Sequence, residues 1–248
     1  MDKQYLLAAV CSQSKVTGGG MCGRFVQRQS LSAYLNELGE EQLPLPGWDE
    51  TPLGRYNVAP STAVHLLRTS TGGLVASPVR WGWSPAWAKG KMPPPINARV
   101  EKVAEGKFFR QIWPNRALVA ADGWYEWVKD ETDPKRKQPY FIQPREGSAC
   151  FFAAIGKYPA DGEQCDGDGF VIITADSKGG MVDIHDRRPI VLTPELAREW
   201  IDPDTTLHRA EQLMLHQGRP SDDFEWFKVG KAVGNVRNQG PELIEPVK

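Results

Sequence analysis

Four short motifs place polar, chemically reactive side chains among apolar or aromatic neighbours. They are MCGRF at residues 21–25, PINAR at 95–99, DGWYEW at 122–127 and DIHDRRP at 183–189. A thiol, a carboxamide, a carboxyl and an imidazole are supplied in turn by Cys22, Asn97, Glu126 and His185. Thiols are nucleophiles, and carboxyl and imidazole groups transfer protons, so these side chains could together serve one catalytic site.

Each of these residues also has an ordinary structural explanation when it is considered alone. Cys22 could pack as a small buried hydrophobe, and Asn97 could cap a turn after a run of prolines. Glu126 could face solvent on an edge strand, and His185 could be a structural residue of a polar loop. The arginines next to three of these residues could be solvated charges. The motifs therefore indicate a functional site only when they are considered together.

Composition limits the classes of protein to which the chain can belong. Of its 248 residues, 40% are apolar and 25% charged, which suits one large globular domain. Thirty basic residues face 31 acidic ones, so the net charge is −1. This argues against a protein that coats duplex DNA through bulk charge. Residues 98–116 carry five basic side chains against two acidic ones, so a local basic groove is compatible with the composition.

The four cysteines, at positions 11, 22, 150 and 165, form no C-x-x-C pair and have no histidine at metal-ligand spacing. We therefore expect no metal site and no cofactor. Few, scattered thiols are typical of a reducing cytosol. No apolar stretch approaches the roughly 18 residues that a membrane-spanning helix needs. A cytoplasmic protein without a membrane partner is expected.

Helices are predicted at both ends of the chain from their periodicity and end signals. Apolar residues recur at helical spacing after Ser30, a good N-cap, and predict a short helix that ends near Gly39. Thr193 followed by proline and glutamate predicts a helix to about Ile201. A further helix is predicted over 207–216, closed by a glycine.

The middle of the chain is rich in predicted strands. A proline-rich loop over 84–95 and a charged hairpin turn over 130–137 separate some of them. We predict one α+β domain with a strongly bent, barrel-like and mostly antiparallel sheet and helices on its outside. The predicted strands are residues 63–67, 74–83, 117–127, 139–143, 149–155 and 170–174.

Residues 1–20 differ from the rest of the sequence and end in three glycines directly before Met21. Such a glycine run is typical of a flexible connector. We interpret residues 1–20 as a leader or as a start assigned too early, absent from the active form. The functional domain is then residues 21–248.

Six motifs together resemble the SOS-response-associated peptidase family, the abasic-site processing proteins. They are MCGRF, RYNVAP, INARVE, DGWYEW, VDIHDRRP and AVGNVRNQG. The resemblance runs from Met21 to about Val247. These motifs are long and specific, and the resemblance covers essentially everything but the leader.

The resemblance implies that Cys22 becomes the N-terminus after removal of Met21 and then links to abasic sites in single-stranded DNA. The free α-amine attacks the aldehyde of the opened sugar and loses water to give a Schiff base. The neighbouring thiolate then adds to the imine carbon and closes a five-membered thiazolidine ring. An internal cysteine lacks this amine. The link would shield the lesion during the DNA damage response, and an abasic-site lyase activity is implied beside it.

The resemblance also assigns roles to the other three reactive side chains. Glu126 corresponds to the family's catalytic glutamate, and the flanking Trp124 and Trp127 would desolvate it. Desolvation raises the pKa of a carboxyl and suits a general acid/base. Asn97 corresponds to the residue that orients the terminal amine or the sugar, and His185 to the active-site histidine.

A surface for single-stranded DNA is implied as well, on a protein expected to act as a monomer. Arginine suits phosphate because its planar fork can bind two oxygens, and an aromatic ring can stack on an exposed base. One departure is Ala88, where the family often has a second tryptophan. The implied contacts are Arg24, Arg99 and Arg187 with phosphates, and Asn57, Pro60 and Trp87 in the DNA-facing loops.

Two other functions remain compatible with the same residues. A cysteine peptidase could use Cys22, His185 and either Asn97 or Glu126 as a triad-like set, with its activity limited to removing the chain's own N-terminal segment. A non-enzymatic single-stranded DNA binding module would need the aromatic residues and arginines but none of the reactive groups. The position of Cys22 distinguishes them, because only thiazolidine chemistry requires its free amine.

Overall fold

The structure is a computed structural model that describes residues 23–39, 50–71, 73–130, 132–133, 136–159 and 165–247. The expectations for residues 1–20 and for Cys22 itself lie outside this part of the chain. So does part of the turn predicted over 130–137.

The described residues form thirteen strands in two sheets. The first sheet has five strands in the order β13-β8-β7-β1-β2. The second has β11-β10-β9-β6-β3-β4 in order, with β12 paired to β9 and β5 paired to β10. The strands are β1 Phe25–Gln27, β2 Arg55–Val58, β3 Ala63–Ser70, β4 Gly73–Arg80, β5 Asn97–Arg99, β6 Arg116–Ala121, β7 Gly123–Lys129, β8 Lys137–Pro144, β9 Cys150–Lys157, β10 Gly169–Asp176, β11 Arg187–Pro189, β12 Val191–Leu192 and β13 Phe224–Lys228.

Pairing between named strands is antiparallel except for β5, which runs parallel to β10. The predicted α+β class and mostly antiparallel pairing are therefore confirmed. The barrel-like part of the prediction is corrected, because the strands form two sheets that are not closed into a barrel.

The two sheets are separate because residues 117–127, predicted as one strand, form parts of two strands. The chain turns at Asp122 and passes from β6 in the second sheet to β7 in the first. The Asp122 carboxylate accepts hydrogen bonds from the Tyr34 hydroxyl at 2.6 Å and from the Arg28 amide at 2.8 Å. At Gly123 a Cβ atom would lie 2.3 Å from the Ile142 carbonyl oxygen. Only glycine fits this corner without displacing β8.

Successive side chains along a strand point to opposite faces of its sheet, and this divides the core into layers. In β1 and β7, Phe25 and Trp124 point between the two sheets, into what we call the inter-sheet cluster, while Val26 and Tyr125 point to the opposite face. The inter-sheet cluster also takes Phe152 and other residues of the second sheet. Helices cover the outer face of the second sheet, and the C-terminal segment covers the outer face of the first.

Four α-helices are described: α1 Leu31–Leu38, α2 Val100–Val103, α3 Pro194–Ile201 and α4 Leu207–His216. The Ser30 hydroxyl accepts from the Ala33 amide, and Gly39 ends α1 in the left-handed conformation. These ends, and those of α3 and α4, match the predicted boundaries, although Gln217 rather than the following glycine caps α4. The short helix α2 was not predicted.

Candidate active site

Strand β1 fixes the segment that follows Cys22. Phe25 pairs with Trp124, and the Tyr125 amide donates to the Arg24 carbonyl oxygen at 2.9 Å. Residues 23 and 24 therefore lie beside β7, next to the position of Glu126. Cys22 itself is outside the described residues.

Glu126 is buried in the middle of β7, with 2% of its surface exposed. Alternation places it on the same face as Trp124, so its carboxyl side faces the inter-sheet layer. Trp127, the next residue, packs with Tyr125 on the opposite face. Glu126 is thus buried as expected, but only Trp124 lies on its face of the strand and Trp127 does not. The proton-transfer role stays a prediction.

Asn97 approaches the same layer from the second sheet. It begins β5 and pairs with Ile172 of β10, whereas its neighbour Ala98 points to the helix-covered face. Asn97 and Arg99 therefore lie on the inter-sheet face. Asn97 is half-buried and Arg99 is exposed.

His185 follows a 3₁₀ turn, Gly179–Asp183, that borders the inter-sheet cluster through Met181 and Ile184. Its side chain is 22% exposed. Asn97, Glu126 and His185 thus come from three distant parts of the chain to the margin of one cluster.

The imidazole of His185 has a partner for each protonation state of Nδ1. This atom lies 3.0 Å from the Arg187 backbone nitrogen and 2.9 Å from an Asp186 carboxylate oxygen. A deprotonated Nδ1 accepts from the Arg187 amide, whereas a protonated Nδ1 donates to Asp186. One nitrogen cannot do both at once, so the two contacts correspond to the two tautomers of the neutral ring.

Arg24 contacts protein groups in the described residues. Its Nη1 donates to Asn57 Oδ1 at 2.8 Å and to the Val233 carbonyl oxygen at 2.9 Å. Its guanidinium lies 5.8 Å from the centre of the Trp127 ring. Burial lowers the pKa of Arg24 from its ordinary value.

Asn57 is 1% exposed and fastens the C-terminal segment to β2. Its Nδ2 contacts three carbonyl oxygens at 3.0–3.1 Å, and its backbone exchanges two hydrogen bonds with the Gln239 side chain. The predicted DNA contact of Asn57 is not tested by these contacts, but they assign its side chain a structural task. The three carbonyls belong to Val233, Asn235 and Asn238.

Arg187, predicted to contact a phosphate, is only 5% exposed and is surrounded by acceptors. Its two terminal nitrogens donate to the two carboxylate oxygens of Glu101 at 2.8 and 3.0 Å. It also donates to Asp176 and, at 2.6 Å, to the Thr174 carbonyl oxygen. Burial alone would lower the pKa of Arg187, but the bonds to Glu101 and Asp176 outweigh it and raise that pKa. A phosphate would reach this guanidinium only by displacing a carboxylate.

Trp87 lies in the proline-rich loop, and 60% of its surface is exposed. Its ring meets that of Phe108 edge to face, with centroids 5.5 Å apart. Ala88, where the second tryptophan of the family pattern would stand, is 1% exposed. Pro60 is half-buried just before Ser61, whose φ of 67° marks a tight loop. Trp87 is thus the aromatic side chain that this loop offers to a ligand.

Comparison with known proteins identifies the family. A family model described as "SOS response associated peptidase (SRAP)" matches residues 21–236. The chain belongs to this family. The resemblance of the six motifs is therefore confirmed over most of the chain.

Two relatives that match almost the whole chain are each named as an abasic site processing protein. The abasic site processing protein YedK of Escherichia coli is 46% identical over 230 residues, covering 92% of this chain and all of the relative. The abasic site processing protein YoqW of Bacillus subtilis is 34% identical, covering 91% of this chain and 99% of the relative. A solved phage-related protein from Bordetella bronchiseptica has a TM-score of 0.72 at 35% identity, with 85% and 95% coverage.

Sequence reasoning missed two residues that this SRAP chain places at the site. Glu101 was noted only as a negative charge in a basic segment, although it ends the INARVE motif and follows Asn97 by four positions. Asp176 carried no sequence signal, because its contact with Arg187 arises from the pairing of β10 with β11.

Other features of the described residues do not extend the site. No group of three or more His, Cys, Asp or Glu side chains in these ranges could hold a metal ion. Two open cavities of about 570 and 530 Å³ lie near the end of α3, lined by residues such as Thr69 and Ile201, away from Glu126 and His185.

No helix in the described ranges is both long and apolar enough to cross a lipid bilayer.

Proposed function

We propose that this protein, in a form that begins at Cys22, processes abasic sites in single-stranded DNA by forming a thiazolidine cross-link with them. The abasic-site processing part of the proposal is supported by family membership and by the names of relatives up to 46% identical. The cross-linking part is supported by the residues around Cys22. The protein would act as a cytoplasmic monomer that shields the lesion during the DNA damage response.

The observation that carries the proposal is the position of β1 beside Glu126. Arg24 is hydrogen-bonded to β7 next to the buried carboxyl. Cys22 precedes Arg24 by two residues, and two residues of extended chain span about 7 Å at most. Chain connectivity therefore supports a reaction in which the Cys22 amine and thiol share a site with Glu126.

The chemistry needs groups that accept and return protons. The Cys22 amine attacks C1′ of the ring-opened sugar, water leaves with a proton from the site, and the thiolate adds to the imine carbon. Glu126 is the group we assign to these transfers, since a carboxyl held away from bulk water suits general acid–base catalysis. Asn97 would orient the amine or the sugar.

The associated lyase activity is assigned to His185. Its neutral imidazole could take a proton from the sugar C2′ and expel the 3′ phosphate by β-elimination. The Asp186 carboxylate, 2.9 Å from Nδ1, supports this assignment, because it would stabilise the ring after Nε2 takes the proton. Arg99 and Trp87, both exposed, are the side chains best placed to meet phosphate and base. Phosphate contacts of Arg24 and Arg187 stay predictions.

The decisive experiment compares a chain that begins at Cys22 with one that retains residues 1–21. Each is incubated with an abasic single-stranded oligonucleotide and measured by intact mass spectrometry. The form beginning at Cys22 should gain the oligonucleotide mass less one water, and the longer form should not. Efficient cross-linking by a chain that retains the preceding residues would overturn the terminal-amine mechanism.

Variants of Cys22 separate the two reacting atoms. In the chain that begins at this position, Cys22→Ala keeps the amine but not the thiol, so it should lose the stable adduct and keep DNA binding. Cys22→Ser should still form an imine that borohydride traps. A stable adduct of unchanged yield with Cys22→Ala would exclude the thiol as a reacting group.

A peptidase confined to the chain's own N-terminal segment is compatible with this proposal, since such cleavage would expose the Cys22 amine. It predicts that the purified longer chain releases residues 1–21 with time and that Cys22→Ala does not. Release at the same rate by Cys22→Ala would assign the cleavage to another agent.

A further inference from the structure

Glu101 joins two segments of the candidate site that are far apart in sequence. One segment, β5 and α2, carries Asn97 and then Glu101, while the other, the 3₁₀ turn and β11, carries His185 and then Arg187. We infer that Glu101 is a positioning residue, whose paired contact with Arg187 fixes His185 relative to Asn97. The inference rests on the proposed function for its catalytic consequence, though not for its geometry.

The contact has the form that specifies orientation best. Both terminal nitrogens of Arg187 donate to Glu101, one to each carboxylate oxygen, at 2.8 and 3.0 Å. Such a two-point contact between planar groups fixes angle as well as distance. The bond to Arg187 is also the main cause of the lowered pKa of Glu101. Glu101 is therefore a carboxylate in this contact.

On the histidine side, the guanidinium and the imidazole are linked through two residues of backbone. The Arg187 amide lies 3.0 Å from His185 Nδ1, and the Arg187 carbonyl oxygen lies 3.2 Å from the same atom. Arg187 also begins β11, where it pairs with Asp176. A shift of the Arg187 side chain would move the backbone that holds the ring.

On the asparagine side, Glu101 lies in the first turn of α2, directly after β5. Asn97 and Arg99 pair with Ile172 and Thr174 of β10, and Val100 is buried against the helix-covered core. The position of Glu101 is thus tied to that of Asn97 through a short stretch of chain that is paired with β10 and anchored by buried Ala98 and Val100. The contact with Arg187 closes the connection between the two reactive residues.

Arg187 has a second carboxylate partner, Asp176, so Glu101 can be replaced without loss of the fold. Arg187 is 5% exposed, so removing every partner would leave a buried charge uncompensated. Asp176 and the Thr174 carbonyl oxygen remain when Glu101 is altered. Asp176 meets Arg187 across the β10–β11 pair, whereas Glu101 is the partner that α2 supplies. Neutralising Glu101 should therefore change orientation more than stability.

The test uses the chain that begins at Cys22, with Glu101→Gln as the variant and Glu105→Gln, an exposed carboxylate four positions later, as the matched control. Rates of adduct formation and strand cleavage are measured against the concentration of abasic oligonucleotide. Glu101→Gln should lower the maximal rates about tenfold, as expected for a small misplacement of reacting groups. The half-saturating concentration should change less than about twofold, and Glu105→Gln should match the wild type in both.

A spectroscopic measurement tests the geometry independently of activity. The imidazole NMR signals of His185, assigned by their loss in His185→Gln, should shift or broaden in Glu101→Gln and stay in place in Glu105→Gln. Arg187→Lys keeps the charge but not the planar fork, so it should alter the same signals. Thermal unfolding of each variant shows that it is folded.

The outcomes are separable. Unchanged His185 signals together with unchanged maximal rates in Glu101→Gln would overturn the inference. So would a lower half-saturating concentration at an unchanged maximal rate, because Glu101 would then compete with a DNA phosphate for Arg187. If the wild type itself forms no adduct, the proposed function fails, while the imidazole signals still decide whether Glu101 positions His185.

Discussion

Glu126 and His185 differ in their contact with solvent, and this difference suggests a division of labour. Glu126 is 2% exposed on the inter-sheet face of β7, whereas the His185 side chain is 22% exposed in a polar turn. A buried carboxyl exchanges protons with what is bound beside it, and a partly exposed imidazole can also exchange them with water. We therefore expect the two residues to control different steps.

Replacing the carboxyl with an amide tests the first role. Glu126→Gln keeps the shape but removes the titratable proton, so cross-linking should slow by about 10²-fold or more. Glu225→Gln is the matched control, because Glu225 lies in the same sheet and bonds the Gln143 side chain at 2.8 Å. A Glu126→Gln rate within about twofold of wild type would remove Glu126 from the proton transfers.

Removing the imidazole tests the second role. His185→Ala should reduce strand cleavage and reopening of the ring more than it reduces ring formation. Adduct and cleaved strand are followed over time from about pH 5 to pH 8, the range in which histidine titrates. His208→Ala, on the exposed face of α4, is the control. Equal proportional loss of both products would contradict the proposed division.

At the level of elements, the C-terminal segment matters as much as the strands that carry reactive residues. Asn57 on β2 contacts three carbonyl oxygens of that segment. Arg24, just before β1, donates to Asn57 and to one of the same carbonyls, that of Val233. The segment therefore holds the stretch of chain that follows Cys22. Its AVGNVRNQG motif is accounted for by these contacts.

Asn57→Ala should destabilise the fold, because it leaves buried carbonyls and the Arg24 guanidinium short of partners. Each such group costs about 1–3 kcal/mol, so the free energy of unfolding should fall by about 2–4 kcal/mol. Urea denaturation measures it, with Asn115→Ala, an exposed asparagine, as the control. A loss no larger than that of the control would show that these contacts contribute little.

At the level of the whole molecule, the proposed preference for single-stranded DNA depends on how charge is distributed over the surface. The net charge is −1, while Arg99, Lys102, Lys107 and Arg110 are exposed in one short stretch and Trp87 protrudes nearby on Phe108. Arg116, counted in the same basic segment, instead donates to three carbonyl oxygens at the end of α3 and beyond. The basic surface is therefore narrow.

Binding before reaction should accordingly favour single strands and single-strand junctions over plain duplex. The logarithm of the binding constant should fall only gently with the logarithm of salt concentration, and Arg99→Ala should reduce that slope by about 0.7, as for one lost phosphate contact. Fluorescence anisotropy with labelled oligonucleotides measures both. Equal binding of intact duplex, or an unchanged slope, would count against this surface.

The sequence by itself determined what depends on neighbours along the chain. Helices α1, α3 and α4 were predicted with their ends. Capping residues such as Ser30, Gly39 and Thr193 mark a helix end by hydrogen bonds within one turn of it, so they can be recognised in the sequence. Most central strands followed from alternation and turn residues. The reactive residues stood out through their motifs, which also indicated the family.

Only the tertiary structure decided what depends on residues distant in sequence. The local mark between β6 and β7 is the pair Asp122 and Gly123, but the turn there is held by Arg28 and Tyr34 from 94 and 88 positions away. The sequence predicts a phosphate contact for Arg187, and only the structure shows its partner Glu101, 86 positions earlier. A charged side chain takes whichever acceptor folding brings nearest, so its partner cannot be predicted from its own surroundings in the sequence.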